Sequence, residues 1–272
     1  MPNPYRVSIS ADGRSGHLRY SEGPFHSHDF YWEFGGGMYT DLFVHQLTHL
    51  IQAMGVTFPS RVVGGGGLYM EYDGRDCPDV ATVVADYEEG CQVLISATMC
   101  NDVQLGEIIR GHTASVMFGG RPNDGFRVVE QNISGKPAPP GANTGEGGEI
   151  FKPDQPKDDT RALWDHFIEC IRSRNPDTLC PAKLGYAAIA TVNMGVKSYR
   201  EGKALFFDKA NGDVKEADSS WAARWEERSK MRARPNQIQG WKADPLAGST
   251  LTAPDYQKLE GDWVGGKDPA KA

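Results

Sequence analysis

Residues 35–55 read GGGMYTDLFVHQLTHLIQAMG. After the three glycines, apolar residues recur at intervals of three and four, as they do along one side of an amphipathic helix. The pattern predicts a helix from about Met38 to Met54 that ends at Gly55, because glycine commonly ends helices. The opposite side of this helix is polar and carries the candidate chemistry of the chain.

The polar side contains Asp41, His45 and His49 at positions i, i+4 and i+8. A rotation of about 100° per residue places the three side chains within roughly 80° of one another. Water-facing helix sides usually carry lysine, glutamate and arginine, which favour helix formation more than aspartate and histidine do. A histidine with a carboxylate one turn away can accept or release a proton near neutral pH. Proton transfer is therefore favoured over a plain solvated surface.

The same side chains suit a second kind of chemistry. Two histidines at i, i+4 can bind one metal ion, and Asp41 could be a third ligand. His26 and His28 would share a face of a strand and could add to such a site. The spacing matches no recognised metal motif, so no metal ligand is assigned. A metal-assisted or cofactor-free enzyme acting on carbohydrate through Asp41, His45 and His49 stays open as an alternative.

The chain downstream of the helix, from Ser60 to Phe118, has the pattern of strands. It includes a β-branched run with a turn signal and a returning run, and then a shorter pair of runs. Successive hairpins without helices between them predict a mostly antiparallel sheet. The segments are 61–63, 68–72, 79–87 with 91–99, and 104–110 with 114–118.

Four consecutive glycines, Gly64 to Gly67, raise the question of a phosphate-binding loop. The run lacks the Lys-Ser/Thr of a nucleotide loop and the G-x-G-x-x-G spacing of a dinucleotide fold, and no helix pattern follows it. It predicts the glycine-rich start of a strand, or a bulge. The chain shows no Rossmann fingerprint.

The remaining segments predict three regions along the chain. Residues 1–34 form an extended lead-in, residues 35–220 form an α/β domain, and residues 221–272 form a helix followed by an irregular tail. Within the domain, the Gly- and Pro-rich residues 119–158 predict one long loop. Two helices and a short last strand follow it, at 160–173, 182–202 and 205–208.

Composition limits the class of protein. The 272 residues carry a net charge of −7, which argues against nucleic acid as a partner. No window approaches 18 uninterrupted apolar residues, so no membrane span is expected, and without a secretory signal the cytoplasm is the default compartment. The five cysteines are odd in number and irregularly spaced, which predicts free thiols rather than disulfides or a zinc site.

The segment 35–45 resembles the GGG-x-x-x-D-x-x-x-H region of the Gfo/Idh/MocA oxidoreductases, where it opens the catalytic helix of the C-terminal, substrate-binding domain. Other motifs of that family follow in the same order, and the resemblance runs from about Tyr31 to Asp208. They lie at 59–62, 78–83, 87–90, 109–112, 167–173 and 198–203.

The resemblance implies an α+β fold with an open, mostly antiparallel sheet and helices on one face. It implies that Asp41 and His45 are the catalytic pair, with His45 exchanging a proton with the reacting hydroxyl, and that Tyr31, Gly37 and His49 contact the substrate. That substrate would be a sugar, inositol or related polyol. NAD or NADP is the implied cofactor, held by an N-terminal Rossmann domain that this chain lacks, so no cofactor-binding residue is assigned.

The expected partners follow from the same resemblance. A separately supplied Rossmann domain would complete the enzyme, and the open sheet face would pack against another copy in a homo-oligomer. A non-catalytic dimerisation or sugar-binding module is the third interpretation of the chain.

Overall fold

The computed structural model describes residues 30–101, 103, 105–111, 114–119, 125–130, 148–152 and 158–231. Most of the predicted lead-in lies outside these residues, and so do His26 and His28 within it. Most of the predicted tail also lies outside them. The domain boundaries after residues 34 and 220 stay predictions.

The helix predicted at 38–54 is present, with a break inside it. Helix α1 spans Met38–Asp41 and helix α2 spans Phe43–Met54, and Leu42 between them keeps a right-handed helical backbone. Gly55 ends α2 with a φ of 68°, a conformation that favours glycine. The apolar side of the two helices is fully buried against the sheet through Met38, Tyr39, Phe43, Leu47 and Ile51.

Nine strands occur in the described residues, and all their pairings are antiparallel. The predicted mostly antiparallel α+β fold is confirmed, although the strands form two sheets rather than one. The first sheet has the order β3-β2-β1-β8-β9 and the second has the order β4-β5-β6-β7. The strands are β1 Arg61–Gly67, β2 Val80–Tyr87, β3 Cys91–Thr98, β4 Ile108–Arg110, β5 Ala114–Phe118, β6 Phe126–Glu130, β7 Glu149–Phe151, β8 Leu205–Asp208 and β9 Asp213–Glu216.

Three strand predictions need correction. Residues 119–158 are not one long loop, because β6 and β7 lie within them and continue the second sheet. Residues 68–72 are not a strand but a loop between β1 and β2. Strand β8 is not the last strand, because β9 follows it and pairs with it.

Helices α3 Asp159–Ser173, α4 Ala182–Glu201 and α5 Ser220–Met231 complete the described fold. Helix α4 packs with α1 and α2 on one face of the first sheet. Helix α5 begins on the opposite face, where Trp221 is buried and its ring lies 6.4 Å from that of Phe206. The apolar side of α3 is largely exposed, with 40–57% of the surface of each of its residues open to solvent. These residues are Leu163, Trp164, Phe167, Ile168 and Ile171.

The four-glycine run lies within a strand, but it forms the end of β1 rather than the predicted strand start or bulge. A Cβ atom on Gly64 would lie 2.0 Å from the carbonyl oxygen of Gly195 in α4, so only glycine fits this close approach. The N–H of Gly64 donates to Ser198 Oγ of the same helix at 2.8 Å. The run therefore brings the strand against α4 and has no free loop that could hold a phosphate.

All five cysteines are free thiols, as expected. Burial raises the pKa of Cys77 and that of Cys91 to about 12 each, so neither thiol is an activated nucleophile. Across the ranges given above, every helix is too short or too polar to cross a bilayer.

Candidate active site

Asp41 and His45 both lie on the solvent-exposed side of the helix pair. Asp41 is the last residue of α1, and His45 is in the first turn of α2. Their exposure follows from the burial of the opposite side, because the core residues of α1 and α2 fix the rotation of both helices. The carboxylate and the imidazole are thus both accessible to a molecule that approaches this side.

The joint at Leu42 keeps the two side chains one turn apart. Leu42 has φ −94° and ψ −45°, and its N–H donates to the carbonyl oxygen of Met38 at 3.1 Å. The N–H of His45 donates to the carbonyl oxygen of Leu42, three residues back, also at 3.1 Å. The turn between Asp41 and His45 is therefore slightly tightened, while the helical direction continues.

Tyr39 anchors this helix end to the sheet. Its side chain is fully buried, and its hydroxyl donates to the carbonyl oxygen of Gly65 in β1. Burial raises the pKa of Tyr39 above its usual range, so the phenol stays neutral and keeps donating. Its ring also packs edge-on against Phe43 at 5.5 Å. The position of Asp41, two residues along, is fixed by this anchor.

Tyr31 and Gly37 lie just before the helix. The carbonyl oxygen of Tyr31 accepts the N–H groups of Phe34 and Gly35 at 2.9 Å each, which forms the turn leading into the glycines. Gly37 is buried and has φ 56° at the N-terminus of α1, a backbone conformation that favours glycine. The positive φ angle therefore explains why residue 37 is a glycine. A contact of Tyr31 or Gly37 with substrate stays a prediction.

His49 lies one turn after His45 and is engaged with the second sheet. Its Nε2 atom lies 2.9 Å from Glu107 Oε2, and its ring lies 5.7 Å from that of Phe118. Its Nδ1 atom lies 3.1 Å from the carbonyl oxygen of His45. His49 thus links helix α2 to the second sheet. Its predicted role in substrate binding stays a prediction.

The metal alternative gains no support in the described part of the chain, where no group of three or more His, Cys, Asp or Glu side chains is arranged to hold an ion. The hydroxyl of Thr48, the residue before His49, makes a hydrogen bond within the helix: it donates to the carbonyl oxygen of Val44 at 2.6 Å.

The loop after β1 is organised by a residue that no local pattern indicates. The fully buried carboxylate of Asp79 accepts the N–H groups of Tyr69, Met70 and Glu71 at 2.7–3.0 Å. Burial alone would raise the pKa of Asp79, but the hydrogen bonds from Glu71, Met70 and Tyr69 outweigh it and lower the pKa to about 2. An ionised carboxylate therefore holds this loop, and it explains why residues 68–72 do not form a strand.

Two comparisons with known proteins give matches. The profile of an oxidoreductase family, described as its C-terminal alpha/beta domain (GFO_IDH_MocA_C), matches residues 22–205, more than half of the chain. No curated protein sequence matches the chain significantly.

Several solved structures resemble the chain at low sequence identity. The aldose-aldose oxidoreductase of Caulobacter crescentus has a TM-score of 0.52 at 15% identity, over 66% of this chain and 51% of that protein. The UDP-N-acetylglucosamine 3-dehydrogenase of Acidithiobacillus ferrooxidans has a TM-score of 0.48 at 17% identity, over 66% and 52%. An NAD-binding protein of Listeria innocua has a TM-score of 0.49 at 13% identity, over 68% and 52%.

The chain spans about half the length of these structural relatives. The profile match covers the helix with Asp41 and His45, the first sheet as far as the start of β8, the second sheet, and helices α3 and α4. The chain therefore belongs to the Gfo/Idh/MocA oxidoreductase family and carries its C-terminal α/β domain.

Proposed function

We propose that this chain is the substrate-binding and proton-transferring half of an NAD(P)-dependent oxidoreductase that acts on a sugar, inositol or related polyol. The observation that carries the proposal is the shared exposure of Asp41 and His45, on the side of α1 and α2 that lies opposite their buried core residues. Membership of the oxidoreductase family supplies the reaction class.

The chemistry requires a proton acceptor beside the reacting carbon. When an alcohol is oxidised, the C–H hydrogen leaves as hydride and the O–H hydrogen leaves as a proton. His45 is placed to accept that proton, and the carboxylate of Asp41 one turn earlier would stabilise the imidazolium that results. In the reverse direction His45 would return the proton to the carbonyl oxygen.

The described residues do not fit NAD(P) by the mode of a dinucleotide fold. Gly64 to Gly67 are the only run of four glycines in the described residues. They belong to strand β1, which packs on α4, and so do not form a phosphate loop. NAD(P) would accept the hydride only when a separate dinucleotide-binding domain holds it. The contribution of this chain is to bind the polyol, orient its hydroxyl and carry the proton.

The first test is polyol binding by the chain itself. Addition of myo-inositol or D-glucose should shift the imidazole NMR signals of His45, because the reacting hydroxyl would lie against that ring. Cyclohexanol, a ring with a single hydroxyl, serves as the matched control ligand and should have a much smaller effect. If neither polyol moves the His45 signals of the folded chain, the proposed site is wrong. Binding without NAD(P)-linked turnover when a dinucleotide-binding domain is supplied would favour a sugar-binding module.

We further propose that the outward face of the first sheet packs against a second copy. Val63, Val84 and Leu94 lie side by side across β1, β2 and β3, and Leu94 is 66% exposed. Arg61 and Asp86 on the same face form an ion pair within the chain at 2.7 Å, so the contact would bury no unmatched charge there. An exposed apolar row across three strands suits a contact between two identical surfaces.

Leu94→Glu should convert a dimer into a monomer in sedimentation velocity, because it would bury a charge in the contact. The matched control is Leu163→Glu on the exposed side of α3, which should leave the dimer intact. A wild-type chain that is monomeric, or a dimer that only the α3 variant dissociates, would contradict this assignment.

A further inference from the structure

His49 is contacted by two residues that are direct neighbours in the second sheet. Glu107 Oε2 lies 2.9 Å from its Nε2 atom, and the Phe118 ring meets the imidazole edge-on at 5.7 Å. Glu107 and Phe118 are themselves joined, because the N–H of Phe118 donates to the carbonyl oxygen of Glu107 at 3.0 Å. The residue before β4 and the last residue of β5 thus meet α2 at a single side chain.

The imidazole also reaches back to the backbone of the proposed base. Its Nδ1 atom lies 3.1 Å from the carbonyl oxygen of His45, so each ring nitrogen faces an oxygen acceptor. A ring with hydrogen on both nitrogens donates to both oxygens at once. Glu107 is therefore linked to the residue that would move the proton through one intervening side chain.

The sheet face that carries Phe118 continues as a row of aromatic rings. Phe118, Phe126 and Phe151 are opposite one another on β5, β6 and β7, with ring centroids 6.5 and 5.2 Å apart. The row begins at His49, one turn from His45, and extends away from α2. Aromatic faces pack well against the C–H faces of sugar rings, whereas the hydroxyls point to polar groups.

We propose that Glu107 is a positioning residue for the proposed reaction: by accepting a hydrogen bond from His49, it holds the second sheet beside His45, with Phe118 as the apolar wall of the polyol site. The proposal rests on the proposed function. It assigns Glu107 no contact with the reacting atoms. The His49 and Glu107 side chains are 44% and 33% exposed, so their pairing adds little stability and its main effect is on geometry.

The test uses a deletion, a conservative replacement and a matched control. Glu107→Ala removes the acceptor, Glu107→Gln keeps an oxygen at the same reach, and Glu130→Ala removes an exposed carboxylate from β6 of the same sheet. Two quantities are measured on the chain: amide hydrogen exchange at Phe118, and the dissociation constant for myo-inositol from the His45 NMR signals.

Glu107→Ala should speed exchange at Phe118 and weaken myo-inositol binding, each by about threefold to fivefold. Glu107→Gln should bring the exchange rate at Phe118 and the dissociation constant for myo-inositol most of the way back to the wild-type values. Glu130→Ala should match wild type in both quantities. His49→Ala should reproduce the Glu107→Ala result, and the double variant should add little to it because the two changes break one link.

Two outcomes would overturn the proposal, and they separate it from the proposed function. If wild type binds myo-inositol and Glu107→Ala binds it equally well, the His49–Glu107 link is only structural and the positioning role is wrong. If Glu107→Ala leaves exchange at Phe118 unchanged, the link does not hold the sheet. If wild type itself binds neither myo-inositol nor D-glucose, the proposed function fails first and the positioning role fails with it.

Discussion

His45→Asn should lower NAD(P)-linked oxidation of the polyol substrate by about 10²–10⁴-fold, the usual contribution of a positioned general base. Asparagine keeps a polar side chain of similar size at the helix surface but cannot accept the proton. His45 is exposed, so the free energy of unfolding should change by less than about 0.5 kcal/mol. The measurement is kcat with a dinucleotide-binding domain supplied, beside a urea unfolding curve.

The matched control for this change is His166→Asn on α3, a histidine whose ring lies 3.7 Å from the Cys170 thiol and to which the proposed mechanism gives no part. It should keep the wild-type rate. Asp41→Asn should have an intermediate effect, because it removes the stabilisation of the imidazolium but leaves the base. A His45→Asn enzyme that is folded and as fast as wild type would remove His45 from the mechanism.

Local patterns predict the elements whose neighbours in sequence are also their neighbours in space. The helix at 38–54 follows from its apolar spacing, and Gly55 marks its end as expected. The hairpin of β2 and β3 follows from a β-branched run and its turn, with Gly90 at φ 97°. The one-turn spacing of Asp41 and His45 on the exposed side is local in the same sense, which explains why sequence alone indicates it.

The features that sequence misses depend on distant partners. Glu107 is 58 residues from His49, and nothing in the residues around Glu107 indicates the contact. The loop at 68–72 has the composition of a strand, but the Asp79 carboxylate takes up three of its N–H groups. Strands β6 and β7 are short runs in a Gly- and Pro-rich segment, and only the pairing of β6 with β5 and of β7 with β6 makes them strands.

Gly64→Ala should destabilise the fold by about 3 kcal/mol, at the upper end of what overpacking a core costs. The added Cβ would lie 2.0 Å from the Gly195 carbonyl oxygen and 3.1 Å from the backbone nitrogen of Tyr199. Both atoms belong to the backbone of α4, which cannot move aside as a flexible side chain can. Relief would require β1 to separate from α4, with loss of the hydrogen bond from Gly64 to Ser198. Urea unfolding followed by circular dichroism measures the change.

Gly65→Ala is the matched control, because it makes the same substitution at the next residue of the same strand. Space on the outward face is open there, with nothing within 4 Å of an added Cβ. Its free energy of unfolding should stay within about 1 kcal/mol of wild type, and a gain is expected since alanine restricts the unfolded chain more than glycine. Equal losses at both positions would show that strand conformation, not contact with α4, requires glycine. A loss confined to Gly64 would show that the approach of β1 to α4 sets the sheet beneath the helix that presents Asp41 and His45.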